Sequence, residues 1–437
     1  MKRFLALALA VLMILSFAAC ASDKSGSDTT AASDTKADAT TAPAAEDTTA
    51  APETTEPATS GTDAVSAAPS VRRNTTKITT PAADTTKPAS GGNSGSTTVP
   101  SKPDDSKPAA VETNPKKIIV SAEREWIFTE KPTDSCHAST VLPLDNDTVV
   151  AAWFAGSSES DDDVKILTSV RGTDGKWGEP IRVSADPNVA HWNPVLFQND
   201  DGTITLYFKV GKNTQYWKTY YSTSTDGKVW ATPKELVPGD NSGGRGPVKN
   251  KPIRLKNGTI LAPGSTEIDD KYRCFVDIST DDGKTWSKTS VIDSSFLGFF
   301  KVPMIQPTLW ESKDGSVHML TRTKLGKIYR SDSLDGGKTW CRAYATNLPN
   351  NNSGIDLDTD DSGRIFLAYN PVGIPGIRTP LVLSVSTDDG KTFTKIKTFE
   401  KGLAEYSYPS VVVKGDTIHI TYTYERDYIA YWQIKIK

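Results

Sequence analysis

The stretch Ser279-Thr-Asp-Asp-Gly-Lys-Thr-Trp286 returns, with small changes, four more times along the chain. The other copies span residues 172–177, 224–230, 333–340 and 386–393. Their closing aromatic residues follow one another at steps of 53, 56, 54 and 53 residues. A period of about 50 residues, with strand-like runs in every unit, is typical of the blades of a β-propeller.

The repeated phrase has the chemistry of a tight turn. Ser and Asp side chains accept hydrogen bonds from nearby backbone N–H groups, and glycine adopts the positive φ that a hairpin needs. The closing tryptophan then has a fixed place to pack against a neighbouring strand. We therefore interpret the five copies as structural turns that lie away from any catalytic centre.

The repeat also predicts the number of blades. Six apolar segments, each near a proline or glycine, are predicted as inner strands: residues 137–141, 191–197, 250–253, 306–310, 354–357 and 408–413. The last unit lacks the repeated turn, so we expect the N-terminal segment from Lys117 to Phe128 to complete it and close the ring. The predicted fold is an all-β, six-bladed β-propeller.

The residues before the repeats predict export. Residues 1–20 combine Lys2 and Arg3 with an apolar run and end in Ala18-Ala19-Cys20. The run is too short for a stable membrane span, and small residues before a cysteine resemble a bacterial lipoprotein signal. We expect lipid attachment at Cys20 and an extracellular protein anchored to the cell membrane. The alternative is a secreted protein with an unmodified cysteine.

Composition divides the rest of the chain in two. Residues 21–115 are rich in Thr, Ala, Ser and Pro, which predicts a disordered linker because too little apolar surface is available to bury. Residues 116–437 hold nearly all the aromatic residues and form the predicted propeller. The net charge of −3 and the lack of a basic stripe exclude nucleic acid as an expected partner.

The three remaining cysteines, Cys136, Cys274 and Cys341, have neither disulfide nor metal-ligand spacing. We expect a monomer without cofactor or metal, whose partner is a glycan.

Polar residues gather where the predicted strands meet the propeller axis. The inner strands of a propeller converge at one face, so polar groups at their starts are candidates for a binding site. The candidates at or just before these starts are His137, His191, Asn250, Gln306, Asp356, Glu405 and Tyr408. Those at or near the ends of the second strands are Glu159, Lys209, Glu267, Arg322, Tyr369 and Arg426. Arg245, in a glycine-rich loop, completes the set.

Several of these residues resemble the sialidase superfamily with Asp-box repeats. Gln306-Pro-Thr, followed by Arg322, is similar to the blade in which that family carries Glu-Pro-Thr and a carboxylate-binding arginine. Arg378 resembles a second such arginine, and Tyr408 resembles the nucleophilic tyrosine. Within the superfamily the chain resembles a bacterial sub-family labelled exo-sialidase, through motifs such as Cys-His-Ala-Ser-Thr and Tyr-Ser-Tyr-Pro. Two departures are His137 in place of an arginine motif, and Gln306 in place of a glutamate.

The resemblance implies a retaining glycosidase that acts on a terminal acidic sugar. A tyrosine nucleophile suits such a substrate, because a carboxylate nucleophile would be repelled by the sugar's own carboxylate. Arg322, Arg378 and His137 would bind that carboxylate. Glu159 would be the general acid/base, and Glu405 or Glu267 would activate Tyr408. The remaining candidates are expected to contact substrate: His191, Gln306, Lys209, Asn250, Asp356, Tyr369 and Arg245.

Two other functions stay open on the sequence. A uronate lyase would use an arginine to neutralise the carboxylate, with His137, His191 and Tyr408 as base and acid. A carbohydrate-binding propeller without activity would use the same groups for recognition alone. Tyr406 also competes with Tyr408, since strand alternation predicts that the two side chains share a face; spacing to the following turn favours Tyr408.

Overall fold

The computed structural model describes residues 114–437, apart from 298–299. The predicted signal peptide, Cys20 and the linker up to residue 113 lie outside this range. The described residues form six four-stranded antiparallel sheets, one short hairpin and a 3-10 turn at Pro115–Lys117. Within this part of the chain, no helix is long and apolar enough to span a bilayer. The predicted six-bladed propeller is confirmed.

The strands run outward from the propeller axis in each blade. The N-terminal strand is β1 (Ile119–Trp126), and the first three blades hold β2 (Ser135–Pro143), β3 (Val149–Gly156), β4 (Lys165–Arg171), β5 (Ile181–Val183); β6 (His191–Gln198), β7 (Ile204–Val210), β8 (Lys218–Ser224), β9 (Lys234–Glu235); β10 (Ile253–Arg254), β11 (Ile260–Ile268), β12 (Lys271–Ser279), β13 (Ser287–Lys288). The hairpin and the last three blades hold β14 (Ser295–Phe296), β15 (Phe300–Lys301); β16 (Met304–Glu311), β17 (Val317–Thr323), β18 (Lys327–Ser333), β19 (Tyr344–Pro349); β20 (Asp356–Thr359), β21 (Ile365–Tyr369), β22 (Leu381–Ser386), β23 (Thr394–Glu400); β24 (Tyr406–Lys414), β25 (Thr417–Tyr424), β26 (Tyr428–Ile436).

The N-terminal strand closes the ring. β1 pairs with β26 from Ile119 opposite Ile436 to Trp126 opposite Ala430, so the sixth sheet has the order β1-β26-β25-β24. This pairing confirms the predicted closure and covers the outer edge of β26, which would otherwise expose unpaired backbone groups. The first blade also packs against the sixth, since the ring centres of Trp177 and Tyr431 lie 5.2 Å apart.

The repeated phrase forms the predicted turn at the rim of the first five blades. In the third blade, Asp281 accepts bonds from the backbone N–H and the hydroxyl of Thr285, at 2.9 and 2.6 Å, and Ser279 bonds Gly283 N–H at 2.8 Å. The bond from the Thr285 hydroxyl, followed by those from the Thr285 N–H and the Ser279 hydroxyl, lowers the pKa of Asp281 to about 2. The ring of Trp286 then packs edge-on against Tyr207 of the preceding blade, at 6.3 Å. Each such turn therefore ties its blade to the one before it.

Apolar side chains fill the spaces between blades. The middle strands are buried on both faces because each sheet is packed between two others; in β3 (Val149–Gly156) every residue is buried. Trp153 of this strand is fully buried and lies in one cluster with Ile429 and Tyr431 of the last blade. At about 25 cal/mol per Å² of apolar surface removed from water, such interfaces provide the main stabilisation of the ring.

Candidate functional site

Four of the six inner strands carry the same backbone irregularity near their start. Ala138, Asn193, Gln306 and Tyr408 all have positive φ, between 42° and 55°, and the pairing register breaks at each of them. An extra residue in one strand of a pair forms a β-bulge, which turns a side chain out of the regular alternation. Non-glycine residues in this conformation cost of order 1–3 kcal/mol each and cluster at functional sites.

Tyr408 is the bulge residue of the sixth blade and lies at the centre of the candidate site. Its hydroxyl oxygen accepts a hydrogen bond from Nη1 of Arg322. The guanidinium groups of Arg322 and Arg378 lie 5.5 and 5.4 Å from the centre of the tyrosine ring. A negative charge that develops on the phenol oxygen is therefore stabilised from more than one side.

Arg322 is buried and is held by neutral groups. Its Nη1 also donates to Oε1 of Gln306 at 3.0 Å, and its Nε donates to Oδ1 of Asn352 at 3.0 Å. Among the described residues, no carboxylate lies within ion-pair distance of this guanidinium, and Nη2 makes no hydrogen bond. A buried charge without a direct ion-pair partner is costly, so the arrangement favours an anionic ligand.

His137 lies against the other side of Tyr408. The two ring centres are 4.2 Å apart, and Nδ1 of His137 is buried, with Oε1 of Glu405 at 3.8 Å and no hydrogen-bond partner in the described range. Burial, reinforced by the charges of Arg426, Arg378 and Arg322, lowers the pKa of His137 well below 6.5. The imidazole is therefore neutral near pH 7, so one of its two ring nitrogens carries an unprotonated lone pair.

Glu405 links two arginines at the edge of the site. It accepts bonds from Nη1 of Arg378 at 2.5 Å, from Nε of Arg426 at 3.2 Å and from the hydroxyl of Ser407 at 2.8 Å. Nη1 of Arg426 in turn donates to Oε2 of Glu159 at 2.5 Å. Although burial acts in the opposite direction, the two arginines hold the pKa of Glu405 below its usual range. Glu405 is thus kept ionised and is directed at arginines rather than at the Tyr408 hydroxyl.

Glu267 has the opposite electrostatic character. It stands at the end of β11, where it pairs in register with Tyr272, and Lys324 lies 4.0 Å from the ring centre of that tyrosine. Burial raises the pKa of Glu267, while the nearby charges of Arg322 and Lys324 oppose the shift. Glu267 is therefore better suited than Glu405 to donate a proton.

Two buried basic groups predicted to contact substrate serve the second blade instead. Both ring nitrogens of His191 are bonded to backbone, Nε2 to the N–H of Ala185 at 2.9 Å and Nδ1 to the carbonyl of Val189 at 2.8 Å. Nζ of Lys209 donates to the Thr219 hydroxyl at 2.5 Å and to the Arg245 carbonyl at 2.8 Å. Burial lowers the pKa of His191 to about 4 and that of Lys209 to about 7.

Four further residues that were predicted to contact substrate also have their contacts within the propeller scaffold. Arg245 forms a buried, two-pronged pair with Asp277, and Asp356 accepts bonds from the Thr308 hydroxyl and Val411 N–H at 2.8 Å each. Asn250 bonds carbonyls of the fourth blade, and Tyr369 packs in the apolar cluster that contains Trp310. The structure does not bring Arg245, Asp356, Tyr369, His191 or Lys209 to the Tyr408 cluster, and Asn250 reaches that cluster only through main-chain carbonyls. Polar side chains are present at these positions because buried main-chain groups and charges need hydrogen-bond partners.

The expectation that Tyr406 and Tyr408 share a face is wrong. Tyr406 packs in the cluster with Phe366 and bonds Glu425 at 3.2 Å, whereas Tyr408 contacts His137 and Arg322. The bulge at Tyr408 breaks the alternation on which that expectation was based.

Two contributors to the site, Asn352 and Tyr272, were not predicted from the sequence. Asn352 lies in a loop without periodic pattern, and Tyr272 faces the site only because it pairs with Glu267. Arg426 was predicted only as a polar group at the end of a second strand. It occupies the turn between β25 and β26, where it binds Glu405 and thereby joins the edge of the site.

Together these groups define a propeller with an axial tyrosine held between a buried arginine and a neutral histidine. The chain belongs to the family described as the BNR repeat-like domain, whose profile matches residues 147–420, more than half of the sequence. A search of curated proteins finds no match.

Solved structures with the same fold include three informative examples. A protein of unknown function from Dyadobacter fermentans is 20% identical, with a TM-score of 0.60, over 73% of this chain and 100% of its own. A Hadza microbial sialidase is 15% identical, with a TM-score of 0.60, over 69% and 66% of the two chains. Trypanosoma rangeli sialidase, solved as a covalent intermediate with 2,3-difluorosialic acid, is 17% identical, with a TM-score of 0.57, over 72% and 59%. At these identities the likeness establishes the fold alone.

Proposed function

We propose that the protein is an exo-glycosidase of sialidase type that removes a terminal acidic sugar from glycans. The observation that carries this proposal is the bond from Arg322 to the hydroxyl of Tyr408, made by a buried guanidinium that lacks a carboxylate partner within the described range. One cation thereby supports both the nucleophile and the carboxylate of the sugar. The fluorinated sialic acid of the Trypanosoma rangeli covalent intermediate is an acidic sugar of the class that fits such a site.

The reaction follows from the arrangement of the groups. The phenol oxygen of Tyr408 attacks the anomeric carbon, its proton passes to neutral His137, and the bond to the leaving-group oxygen breaks. Glu267, whose raised pKa keeps it protonated to higher pH, donates a proton to that oxygen. Water then attacks the anomeric carbon and gives a proton to Glu267, the bond from that carbon to the Tyr408 oxygen breaks, and His137 returns its proton to the phenol, so the anomeric configuration is retained.

Arg322 and Arg378 have separate tasks in this scheme. Arg322 binds the sugar carboxylate through its unbonded Nη2, while Arg378 is held in place by Glu405 and presents its charge beside the tyrosine ring. Gln306 replaces a carboxylate base beside Tyr408, which leaves His137 as the proton acceptor. Glu159, bound to Arg426, belongs to the edge of the site rather than to its centre.

A specific observation also favours a uronate lyase as the second candidate. Within residues 114–437, apart from 298–299, no carboxylate is hydrogen-bonded to the Tyr408 hydroxyl, while neutral His137 lies against its ring. A lyase needs a neutralised carboxylate, a base and an acid, for which Arg322, His137 and Tyr408 suffice. A binding module without activity would use the same contacts but form no product.

Product analysis on a panel of acidic glycans separates these functions. Hydrolysis in ¹⁸O-labelled water yields a saturated sugar that carries one heavy oxygen, whereas a lyase yields an unsaturated sugar that absorbs in the ultraviolet. We expect a heavy, saturated sialic or related acid. An unsaturated uronate would overturn the proposal in favour of the lyase, and binding without any product would leave the carbohydrate-binding module.

We also propose that the propeller acts at the cell surface, anchored through a lipid on Cys20. The support is the signal-like sequence of residues 1–20, which lies outside the described range. The variant Cys20→Ser is expected to move the full-length protein from the membrane fraction to the medium. Retention of the variant in the membrane fraction would contradict the anchor.

A further inference from the structure

The third blade uses its axial residues differently from the fourth and sixth. Lys249 has positive φ (71°), like the bulge residues, but its side chain crosses towards the last two blades. Its buried Nζ donates to the carbonyl oxygen of Pro409, to that of Ile355 at 3.1 Å and to Oδ1 of Asn250 at 2.9 Å. Two of these acceptors are main-chain atoms of the fifth and sixth blades.

Both carbonyls lie beside the nucleophile. Pro409 directly follows Tyr408, so the bond from Lys249 fixes the peptide that leaves the tyrosine bulge. Ile355 follows Gly354, whose backbone fills the space between the two side chains. A Cβ atom on Gly354 would lie 3.1 Å from Cε of Lys249 and 3.3 Å from Cγ of Tyr408. The lysine stem, the Gly354 backbone and the Tyr408 ring are therefore packed in direct succession.

Asn250 holds the other half of the site. Its Nδ2 donates to the carbonyl oxygens of Gln306 and Pro307, at 3.0 Å each, which are the bulge residue of the fourth blade and its successor. Gln306 in turn accepts the bond from Arg322. The dipeptide Lys249-Asn250 thus contacts both bulges whose side chains meet at Tyr408 and Arg322.

We propose that Lys249 and Asn250 are positioning residues that clamp the Tyr408 and Gln306 bulges in register across the propeller axis. The left-handed backbone conformation of Tyr408 and Gln306 is unfavourable by itself, because neither residue is glycine. It therefore persists only where surrounding bonds impose it. A buried ammonium and a buried amide supply those bonds from a third blade. The expected effect of the clamp on catalysis rests on the proposed function, whereas the hydrogen bonds that form the clamp do not.

Lys249→Met and Lys251→Met form a matched pair for testing the clamp. Lys249→Met keeps most of the stem and removes the donor; kcat is expected to fall about 10²-fold, because a displacement of about 1 Å misaligns the nucleophile. KM stays close to that of the unchanged protein, since Arg322 still binds the sugar carboxylate. Lys251 bonds the Leu357 carbonyl at 2.7 Å and the Asp356 carboxylate at 3.3 Å, and neither acceptor belongs to a bulge. Lys251→Met is therefore expected to lower thermal stability with little change in kcat.

Asn250→Asp tests the second contact and guards against a Lys249 variant that fails to fold. The substitution keeps the shape but replaces the donor with an acceptor that faces two carbonyls, and it is expected to lower kcat by a similar factor. Equal kcat values in Lys249→Met and Lys251→Met, with both variants folded, would overturn the clamp.

Crystal structures of the variants test the clamp without relying on activity. If the unchanged protein cleaves no acidic sugar, the proposed function fails while the clamp remains testable. Separation of the Tyr408 oxygen from Arg322 in Lys249→Met would support the clamp, and an unmoved Tyr408 would overturn it.

Discussion

The rim and the axis of this propeller each carry a repeated feature, a turn in five blades at the rim and a bulge in four blades at the axis, but the two features repeat in different ways. At the rim, Ser279, Asp281 and Gly283 recur as the same residue types with the same hydrogen bonds, as in Ser333, Asp335 and Gly337. At the axis the backbone recurs, with positive φ and a register break, while the residue in the bulge changes from blade to blade. The rim repeats a sequence, and the axis repeats a conformation.

This difference separates stability from function. A turn that must tie one blade to the next has one good solution, so its residues recur. A bulge only has to point a side chain at the axis, so its residue is free to differ: Ala138, Asn193, Gln306 or Tyr408. Substitutions at the axis should therefore change chemistry with little change in stability, and substitutions at the rim should do the reverse.

The largest effect is expected for Tyr408→Phe. Loss of the nucleophilic oxygen should lower kcat on the order of 10⁴-fold or more, while the acidic sugar still binds. Tyr406→Phe is the matched control, because Tyr406 lies two residues away and bonds Glu425 instead. Steady-state kinetics of the two variants check the prediction. An equal loss of kcat in both variants, or no loss in Tyr408→Phe, would contradict the different roles assigned to the two tyrosines.

Glu267→Gln should lower kcat about 10²- to 10³-fold, because the leaving group loses its proton donor. Turnover in the unchanged protein should decline as the pH rises through the raised pKa of Glu267, and this decline should be absent in the variant. The raised pKa also means that the folded protein holds this proton more tightly than the unfolded chain. Stability is then lost as the pH rises above the unfolded value, and the variant should be at least as stable at pH 7.

pH–rate profiles and thermal melts of the two proteins check both parts of this expectation. An alkaline decline that persists unchanged in Glu267→Gln would assign the acid to another residue.

Arg322→Lys should reduce kcat/KM about 10²-fold, equivalent to about 3 kcal/mol, because lysine cannot reproduce the planar fork of donors. Arg378→Lys should cost less, since Nη1 of Arg378 is already occupied by Glu405. Kinetics of both variants on one acidic substrate rank the two arginines. A larger loss in Arg378→Lys would show that the carboxylate is bound on the Glu405 side.

At the rim, Gly337→Ala should destabilise the fold by about 2 kcal/mol and leave kcat unchanged. Gly337 has φ of 85°, and an added Cβ would lie 2.6 Å from Cδ1 of Leu261 in the preceding blade. The neighbouring Gly336 offers a control, because its Cβ would come no closer than 3.9 Å to Leu255. Chemical denaturation should show the larger loss for Gly337→Ala. A loss of activity without loss of stability would contradict the division between rim and axis.

The sequence predicted the rim well because a turn is a local structure. Asp281, Gly283 and Trp286 sit within a few residues of one another, and their spacing alone indicates the turn. The same repeat predicted the blade count and the closing strand β1. Arg322, Arg378, His137 and Tyr408 were also selected correctly as neighbours, through the family resemblance and their places near strand starts and ends.

The remaining contacts depend on pairs that are distant in sequence. Lys249 meets Pro409 across 160 residues and Asn250 meets Gln306 across 56, so nothing local distinguishes them from Lys209 or His191. Buried polar residues look alike in a sequence whether they bind backbone or face a ligand. Tyr406 and Tyr408 show the same limit, because a bulge changes the direction of a side chain without changing the composition of its strand.

The most direct test of the account is a covalent trap. Incubation with a 2,3-difluorinated sialic acid, followed by intact-mass measurement and peptide mapping, should show one adduct per chain on Tyr408, absent in Tyr408→Phe and present in Tyr406→Phe. An adduct on Glu267, Glu405 or Glu159, or rapid hydrolysis of the natural sugar by a protein that never forms an adduct, would contradict the claim that Tyr408 is the nucleophile.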